Sequence, residues 1–265
     1  MTPAERIAEA FAAARADGRA ALMPFLVCSS PSPTEFVEIA RAAASSGADL
    51  FEIGIPFSDP IMDGPVIQAA SNEVLSRGFR VSDALTLIGE AASATGRPLC
   101  AMTYYNLLYR FGLDDFARAL ADAGACGAII PDLSVEDAGP WREACAKVGI
   151  APVFIAAQTS PPERLRLLAD AGEGFIYAAS LLGVTGVRTA LNDTARGLVE
   201  RVRAQTTLPV AVGIGVSTPE HCREVASFAD GVIVGSAVVK RIADARDPAA
   251  DVGAFIAELS AAARR

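Results

Sequence analysis

Short, nearly continuous apolar runs recur along the chain, and the segments between them repeat their apolar residues with helical spacing. Runs that are continuous rather than alternating are typical of parallel strands covered on both faces. The pattern therefore predicts eight strands, at residues 21–28, 49–56, 98–105, 127–133, 151–157, 174–180, 208–214 and 231–237.

The intervening segments have the features of amphipathic helices. In residues 113–124, for example, Leu113, Phe116 and Leu120 share one helical face, and Gly124 marks the end of the helix. A serine followed three residues later by an acid is a pattern that can cap the first turn of a helix. It predicts helix starts at Ser32, Ser134, Ser160 and Ser217.

Eight strand–helix units in 265 residues predict a (β/α)8 TIM barrel, a single domain covering residues 1–265. An extra N-terminal helix in "PAERIAEAFAAARADG" precedes the first strand and is expected to close the bottom of the barrel. A doubly wound open sheet is the alternative, but the GxGxxG turn that usually opens such a sheet is missing. No linker or composition shift indicates a second domain.

The composition limits the classes of function. A hydrophobic fraction of 52% supports one large core, and a net charge of −8 argues against general binding to nucleic acid or anionic membranes. The sequence shows no secretory signal and no apolar run of the ~20 residues that a membrane-spanning helix needs. We therefore expect a soluble, cytoplasmic protein that binds neither nucleic acid nor membrane.

Cysteine and histidine usage narrows the chemistry further. The five cysteines are scattered without a CxxC pair, which indicates reduced, buried thiols rather than disulfides or a zinc site. The single histidine, His221, excludes histidine-based triads and multi-histidine metal sites. Acid–base chemistry must then rest on carboxylates, tyrosines or lysines.

The stretch "FEIGIPFSDPIMDGP", residues 51–65, places an acid inside an apolar strand. Side chains alternate across a strand, so Phe51 and Ile53 should face the helices and Glu52 should point into the barrel. A buried carboxylate needs partners, or its pKa rises until it holds a proton near neutral pH. Either outcome suits a general acid–base, and the alternative is a structural glutamate satisfied by hydroxyl groups.

A second acid, Asp63, lies on the loop after this strand, at the end of the barrel where active sites occur. One carboxylate fixed on a strand and one on a loop could act on two different protons of one substrate. Ordinary turn chemistry is the alternative for this loop, and it is as good an explanation of Asp59 as a functional role. A magnesium site built from Asp59 and Asp63 is a further, weaker alternative.

The last two strands end in glycines, Gly213 and Gly215 after the seventh and Gly235, followed by Ser236, after the eighth. Glycine lets backbone N–H groups approach a ligand, and a short helix starting at Ser236 would attract an anion. This arrangement predicts a phosphorylated substrate. The glycine-rich loop after the sixth strand is expected to act as a lid and to add a phosphate contact from Gly186.

The motifs "FEIGIPFSDPIMDGP", "GVTG" and "GSAVVK" occur in order across nearly the whole chain, and together they resemble the tryptophan synthase α subunit family. The resemblance implies retro-aldol cleavage of indole-3-glycerol phosphate to indole and glyceraldehyde 3-phosphate, in a subunit without cofactor or metal. It also implies a β-subunit partner that uses pyridoxal phosphate, in an α2β2 heterotetramer.

The resemblance also implies roles for individual residues. Glu52 matches the acid that moves protons at the indole C3 and the glycerol hydroxyl, and Asp63 matches the acid that accepts a hydrogen bond from the indole N–H. Thr185 is expected to hold the closed loop against Asp63. The expected substrate pocket comprises Phe25, Met102, Tyr104, Ile129, Ile155 and Tyr177. The expected phosphate ligands are Gly186, Gly215, Gly235 and Ser236. Asp59 and Pro60 match the face that contacts the β subunit.

The sequence departs from the family pattern in places. The turn after the first strand, "CSSPSP", lacks the Gly and Asp that are usual there. Leu181 stands where some members have Arg, Ile214 stands where an aromatic residue often packs on the indole, and Tyr105 is bulkier than common variants. None of these changes affects the two acids.

Three alternative functions remain at this point. One is a stand-alone lyase that releases free indole by the same chemistry. Another is a catalytically silent regulatory partner of a β subunit, which the presence of both Glu52 and Asp63 argues against. The third is a sugar-phosphate isomerase, which the absence of a histidine at a strand end argues against.

Overall fold

A computed structural model describes residues 1–179, 188–213 and 215–265, with the backbone alone for residues 188–193. Eight parallel strands form a closed barrel in chain order, and the last strand pairs with the first. All eight predicted strands are present and most are shorter than predicted. The strands are β1 Ala21–Val27, β2 Phe51–Gly54, β3 Leu99–Met102, β4 Gly127–Ile129, β5 Ala151–Ala157, β6 Ile176–Ala179, β7 Val210–Gly213 and β8 Gly231–Val234.

Helices surround the barrel on the outside, as expected for this fold. Within the described part of the chain, no helix is both long enough and apolar enough to cross a membrane. The helices are α1 Pro3–Ala16, α2 Pro33–Ser45, α3 Pro65–Ser76, α4 Val81–Thr95, α5 Tyr105–Phe111, α6 Leu113–Asp122, α7 Gly139–Val148, α8 Pro162–Ala171, α9 Arg188–Arg203, α10 Pro219–Ala226, α11 Ser236–Asp244 and α12 Pro248–Ala262.

Helix α1 closes the bottom of the barrel, as the sequence predicted. Its residues Ile7 and Phe11 are buried and belong to the same apolar cluster as the inward-facing residues of the strands. The ring of Phe11 lies 5.5 Å from that of Phe175. A β-carbon on Gly231 would lie 2.8 Å from the Phe11 ring, so glycine on β8 makes room for this plug.

The helix starts are only partly as predicted. Ser32 is the N-cap of α2, where its hydroxyl accepts from a backbone N–H of the first turn. Ser134 makes the same local contacts, but α7 begins later, at Gly139, so the prediction was wrong there. Ser160 and Ser217 each precede the true N-cap by one residue. The serine–acid pair closes a turn by itself, and whether a helix continues from that turn depends on packing beyond it.

Side chains alternate between two apolar cores. The outer core lies between strands and helices and contains Phe51, Phe116 and Trp141. The inner core lies inside the barrel and contains Met23 and Leu50, together with the α1 plug. Because both faces of the described strands are largely buried, we expect a substrate at the end of the barrel opposite α1, where the strands lead into the longer loops.

Candidate active site

Glu52 is 2% exposed and points into the barrel from β2. It is paired in register with Phe25 on β1 and Cys100 on β3, both of which belong to inner clusters. Its strand neighbours Phe51 and Ile53 lie in the outer core. The orientation predicted from the alternation of side chains is therefore confirmed.

The environment of Glu52 favours its protonated form. Burial, with a contribution from the negative charge of Asp63, raises the pKa of the Glu52 carboxyl to about 8. A network of hydroxyl donors would stabilise the charged form and lower the pKa, so the raised pKa argues against a structural glutamate held by such a network. Near neutral pH the carboxyl holds a proton that it can give up.

Asp63 lies on the loop between β2 and α3 and is half-buried. Burial raises the pKa of its carboxyl, and a hydrogen bond with the Tyr104 side chain opposes that rise. The carbonyl of Asp63 accepts from the amide of Gln68 on α3, at 2.7 Å. The loop acid is thus held on both its side chain and its backbone.

Tyr177 lies near both acids. It points inward from β6, and burial together with the charges of Glu52 and Asp63 raises the pKa of its phenol well above the usual value. The hydroxyl therefore remains protonated, close enough to both carboxyl groups for their charges to act on it. The site presents two acids and one neutral hydroxyl donor to a common space.

Asp59 behaves differently from Asp63. It is exposed, and it accepts a hydrogen bond from the neighbouring Ser58 hydroxyl at 2.6 Å, which is ordinary turn chemistry. Across the described part of the chain, no group of three or more His, Cys, Asp or Glu side chains could hold a metal ion. The magnesium alternative therefore gains no support from the arrangement of the acids.

The other residues of the expected substrate pocket come from four strands, β1, β3, β4 and β5, and from the loop after β3. Met102 and Ile155 are half-buried at the open end of the barrel, whereas Phe25 and Tyr104 are nearly buried. Ile129 is 0% exposed and packs in the inner core, so core packing alone explains an apolar residue at this position. Its contact with a substrate stays a prediction.

Two glycines on the inner wall make room for aromatic side chains. A β-carbon on Gly54 would overlap the ring of Phe25, and one on Gly213 would overlap the hydroxyl of Tyr177. The sequence suggested that Gly213 lets the backbone approach a ligand. Instead, each glycine admits an aromatic side chain that leans across from the preceding strand.

The expected phosphate site lies where β7 and β8 end. Gly215 has φ +94°, a left-handed conformation that favours glycine. Gly235 is the N-cap residue of α11, and Ser236 is the first residue of that helix. These three residues stand at the open end of the barrel with a helix N-terminus available for an anion. Thr185, Gly186, Leu181 and Ile214 lie outside the described residues.

The turn after β1 contains a contact that the sequence did not indicate. Ser29 has φ +69°, a left-handed conformation that favours glycine. Arg77, at the end of α3, donates to the carbonyl of Ser29 at 3.1 Å and to that of Pro31. An arginine distant in sequence therefore holds a turn whose left-handed conformation would otherwise favour glycine.

Comparisons with known proteins agree with this geometry. The family model described as "Tryptophan synthase alpha chain" matches residues 11–263. The tryptophan synthase alpha chain of Streptomyces coelicolor is 47% identical over 259 residues, covering 97% of this chain and 96% of that one. The corresponding chain of Chloroflexus aurantiacus is 43% identical over 263 residues, covering 98% and 99%.

Solved structures give the same result. A crystal structure of tryptophan synthase from M. tuberculosis, in an aminoacrylate- and BRD0059-bound form, superposes with a TM-score of 0.90 at 38% identity, covering 98% of both chains. The tryptophan synthase alpha subunit of Legionella pneumophila str. Paris superposes with a TM-score of 0.88 at 32% identity, covering 97% of both chains.

Proposed function

The chain belongs to the tryptophan synthase alpha chain family, whose members cleave indole-3-glycerol phosphate in tryptophan biosynthesis, and we propose that Glu52 and Asp63 perform this cleavage here. The activity is that of a carbon–carbon lyase of the aldolase type. The observation that carries the assignment is a protonated acid, Glu52, buried inside the barrel and coupled to a second acid on the adjoining loop.

The first step is protonation of the indole ring. Glu52 holds a proton near neutral pH and donates it to the indole C3. This dearomatises the pyrrole ring and leaves positive charge on the indole nitrogen. The Asp63 carboxylate accepts a hydrogen bond from the N–H and stabilises that charge as it develops.

The second step is cleavage. Glu52, now a carboxylate, takes the proton of the glycerol hydroxyl next to the bond that breaks. The carbon–carbon bonding pair returns to the ring, which becomes aromatic again as indole, and the hydroxyl carbon becomes the aldehyde of glyceraldehyde 3-phosphate. One proton is given and one is taken back, so the reaction balances without a redox partner.

The raised pKa of Glu52 suits this double role. A group that must both donate and accept works best when its pKa lies near the working pH, and a value of about 8 meets that condition. Tyr177, whose hydroxyl stays protonated near both acids, is the residue to which we assign the orientation of Glu52. Phe25 and Met102 supply apolar surface for the indole ring from the strands that flank β2.

The phosphate group is assigned to the ends of β7 and β8. A β-carbon on Gly235 would meet its nearest protein atoms at 3.8 Å, so the protein itself leaves room there. The N-terminus of α11, at Ser236, offers backbone N–H groups and the positive end of the helix dipole. We assign Gly215, Gly235 and Ser236 to phosphate binding, with Gly186 and Thr185 completing the site from the loop after β6.

The family works with a β subunit, and we propose that this chain does so as part of an α2β2 heterotetramer in the cytoplasm. Asp59 and Pro60 belong to the proposed contact face, and the same loop exposes Ile61 and Met62, at 74% and 42%. Exposed apolar side chains beside a functional loop are typical of a protein–protein contact. We assign pyridoxal phosphate to the β subunit and no cofactor to this chain.

An indole-release assay with the purified protein, with and without a β chain, tests the proposal. Release of indole that rises on adding a β chain supports a synthase subunit. Full activity alone, unchanged by a β chain, would indicate a stand-alone lyase. No release under either condition, although the β chain is activated, would leave only a regulatory role and would refute the proposed function.

A further inference from the structure

The loop between β2 and α3 folds around the side chain of Tyr104, which is 3% exposed. Near the start of the loop, the ring of Phe57 stacks on the Tyr104 ring, with 5.1 Å between centroids and 24° between planes. Near its end, the Met62 N–H donates to the Tyr104 hydroxyl at 3.2 Å. A single side chain from the neighbouring unit of the barrel therefore holds both ends of the loop that carries Asp63.

The hydroxyl of Tyr104 connects the loop backbone to the Asp63 carboxylate. A phenol has one hydrogen to donate and lone pairs to accept with. Because it accepts from Met62, its own hydrogen is available for the side chain of Asp63, and an interaction with Tyr104 lowers the pKa of the Asp63 carboxyl. The contacts thus run in one direction, from N–H to hydroxyl to carboxylate.

Tyr104 is itself held by the rigid part of the fold. It is the N-cap residue of α5, and one residue, Thr103, separates it from the end of β3. The next backbone N–H, that of Tyr105, donates to Asp132 Oδ1 at 2.8 Å, and Asp132 lies on the loop after β4. The start of α5 is therefore capped from the adjacent unit, which fixes the direction of the Tyr104 side chain.

We propose that Tyr104 is a positioning residue that orients Asp63 toward the indole N–H of the bound substrate. The inference rests on the proposed function of Asp63 and adds a role for Tyr104 beyond lining the pocket. Much of the loop is exposed, including Ser58, Asp59 and Ile61. Gln68 holds the backbone carbonyl of Asp63, which leaves Tyr104 as the contact for the carboxylate. Misplacing a reacting group by about 1 Å can cost about 100-fold in rate.

Tyr104→Phe tests this role because it removes the hydroxyl and keeps the ring that stacks on Phe57. We expect kcat/KM to fall by about 10- to 100-fold, mainly through kcat, with phosphate recognition retained. The hydrogen bond from Tyr104 lowers the pKa of Asp63, so its loss should move the acidic limb of the kcat/KM profile to higher pH. The other titratable groups near this pair are Glu52 on β2, Tyr177 on β6 and Asp132 after β4.

Tyr105→Phe is the matched control, since this neighbouring ring packs against Tyr109 and the change also removes one phenol hydroxyl. It should leave both the rate and the acidic limb near those of the wild type. Binding of glycerol 3-phosphate and the melting temperature separate a positioning effect from misfolding. A Tyr104→Phe protein that loses its melting transition or its glycerol 3-phosphate binding along with its activity would count against a positioning role.

Failure of the inference and failure of the proposed function give different results. If Tyr104→Phe keeps the wild-type rate and acidic limb while Asp63→Asn loses activity, the inference is wrong and the proposed function stands. If the wild-type protein releases no indole, both are wrong. A slowed Tyr104→Phe with a shifted acidic limb and intact glycerol 3-phosphate binding supports the inference.

Discussion

Asp63 lies close enough to Glu52 for its negative charge to raise the pKa of the Glu52 carboxyl, although one acid is on a strand and the other is on a loop. Burial is the larger cause of the shift, and the charge of Asp63 adds to it. Because of this coupling, the two acids differ in whether they hold a proton. Near neutral pH the buried Glu52 holds its proton, and the half-buried Asp63, bonded to Tyr104, is the group suited to carry the charge.

The pH dependence of cleavage should report this coupling. In the wild type, kcat/KM should decline as pH rises through about 8, because Glu52 then loses the proton that it donates to C3.

Asp63→Asn should lower kcat by about 10²- to 10³-fold, since one group that stabilises the developing charge is lost. It should also move the alkaline limb to lower pH, because the charge that raises the pKa of Glu52 is gone. Normal kinetics in Asp63→Asn would contradict its contact with the indole nitrogen.

Glu52→Gln should abolish indole release, because the amide has nearly the shape of the acid but no proton to exchange. Binding of glycerol 3-phosphate should remain close to that of the wild type, since the expected phosphate site lies at β7 and β8. Steady-state assays of indole and calorimetric titration with glycerol 3-phosphate measure the two effects. Glu38→Gln, on the exposed face of α2, is the control and should be fully active. Appreciable turnover in Glu52→Gln would show that another group moves the protons.

Glu52 should also make stability depend on pH. Its pKa is raised in the folded state, so the folded protein binds a proton that the unfolded chain has already lost between about pH 4.5 and 8. Stability from this group is complete at low pH and is lost as pH rises through about 8. Each pKa unit corresponds to about 1.4 kcal/mol, so Glu52→Gln should gain a few kcal/mol over the wild type on going from pH 5 to pH 9. Urea unfolding at the two pH values measures this gain, and Glu38→Gln should show none.

Gly235→Ala should weaken the binding of the phosphate group while leaving the fold intact. The added β-carbon would meet Ile67 and Phe25 at 3.8 Å, an ordinary contact, so the protein can accept it. Bonds from backbone N–H to phosphate are charge-assisted, and disturbing one should raise KM by about 10-fold or more with little change in kcat. Gly231→Ala on the same strand is the contrast, because its β-carbon would meet Phe11 at 2.8 Å and should lower the melting temperature. An unchanged KM in Gly235→Ala would place the phosphate elsewhere.

Much of the site was accessible from sequence because the relevant signals are local. The inward direction of Glu52 follows from the alternation of side chains along one strand, and the position of Asp63 follows from its place on the next loop. The helix starts at Ser134 and Ser160 were misplaced for the opposite reason. Ser134 and Asp137 close a turn from which no helix continues directly, and the Ser160 hydroxyl accepts instead from the Ala157 N–H.

The sequence by itself determined the barrel, the order of its strands and the inward acid, because hydrophobic periodicity records which faces are buried. Only the tertiary structure decided what fills the space beside that acid. Phe25 occupies the room left by Gly54, Tyr177 occupies the room left by Gly213, and the loop of Asp63 wraps around Tyr104. These contacts join strands and loops that are far apart in the chain. They arise because closing the sheet into a ring brings those strands and loops together, and the pattern that predicts the ring does not show which side chains meet within it.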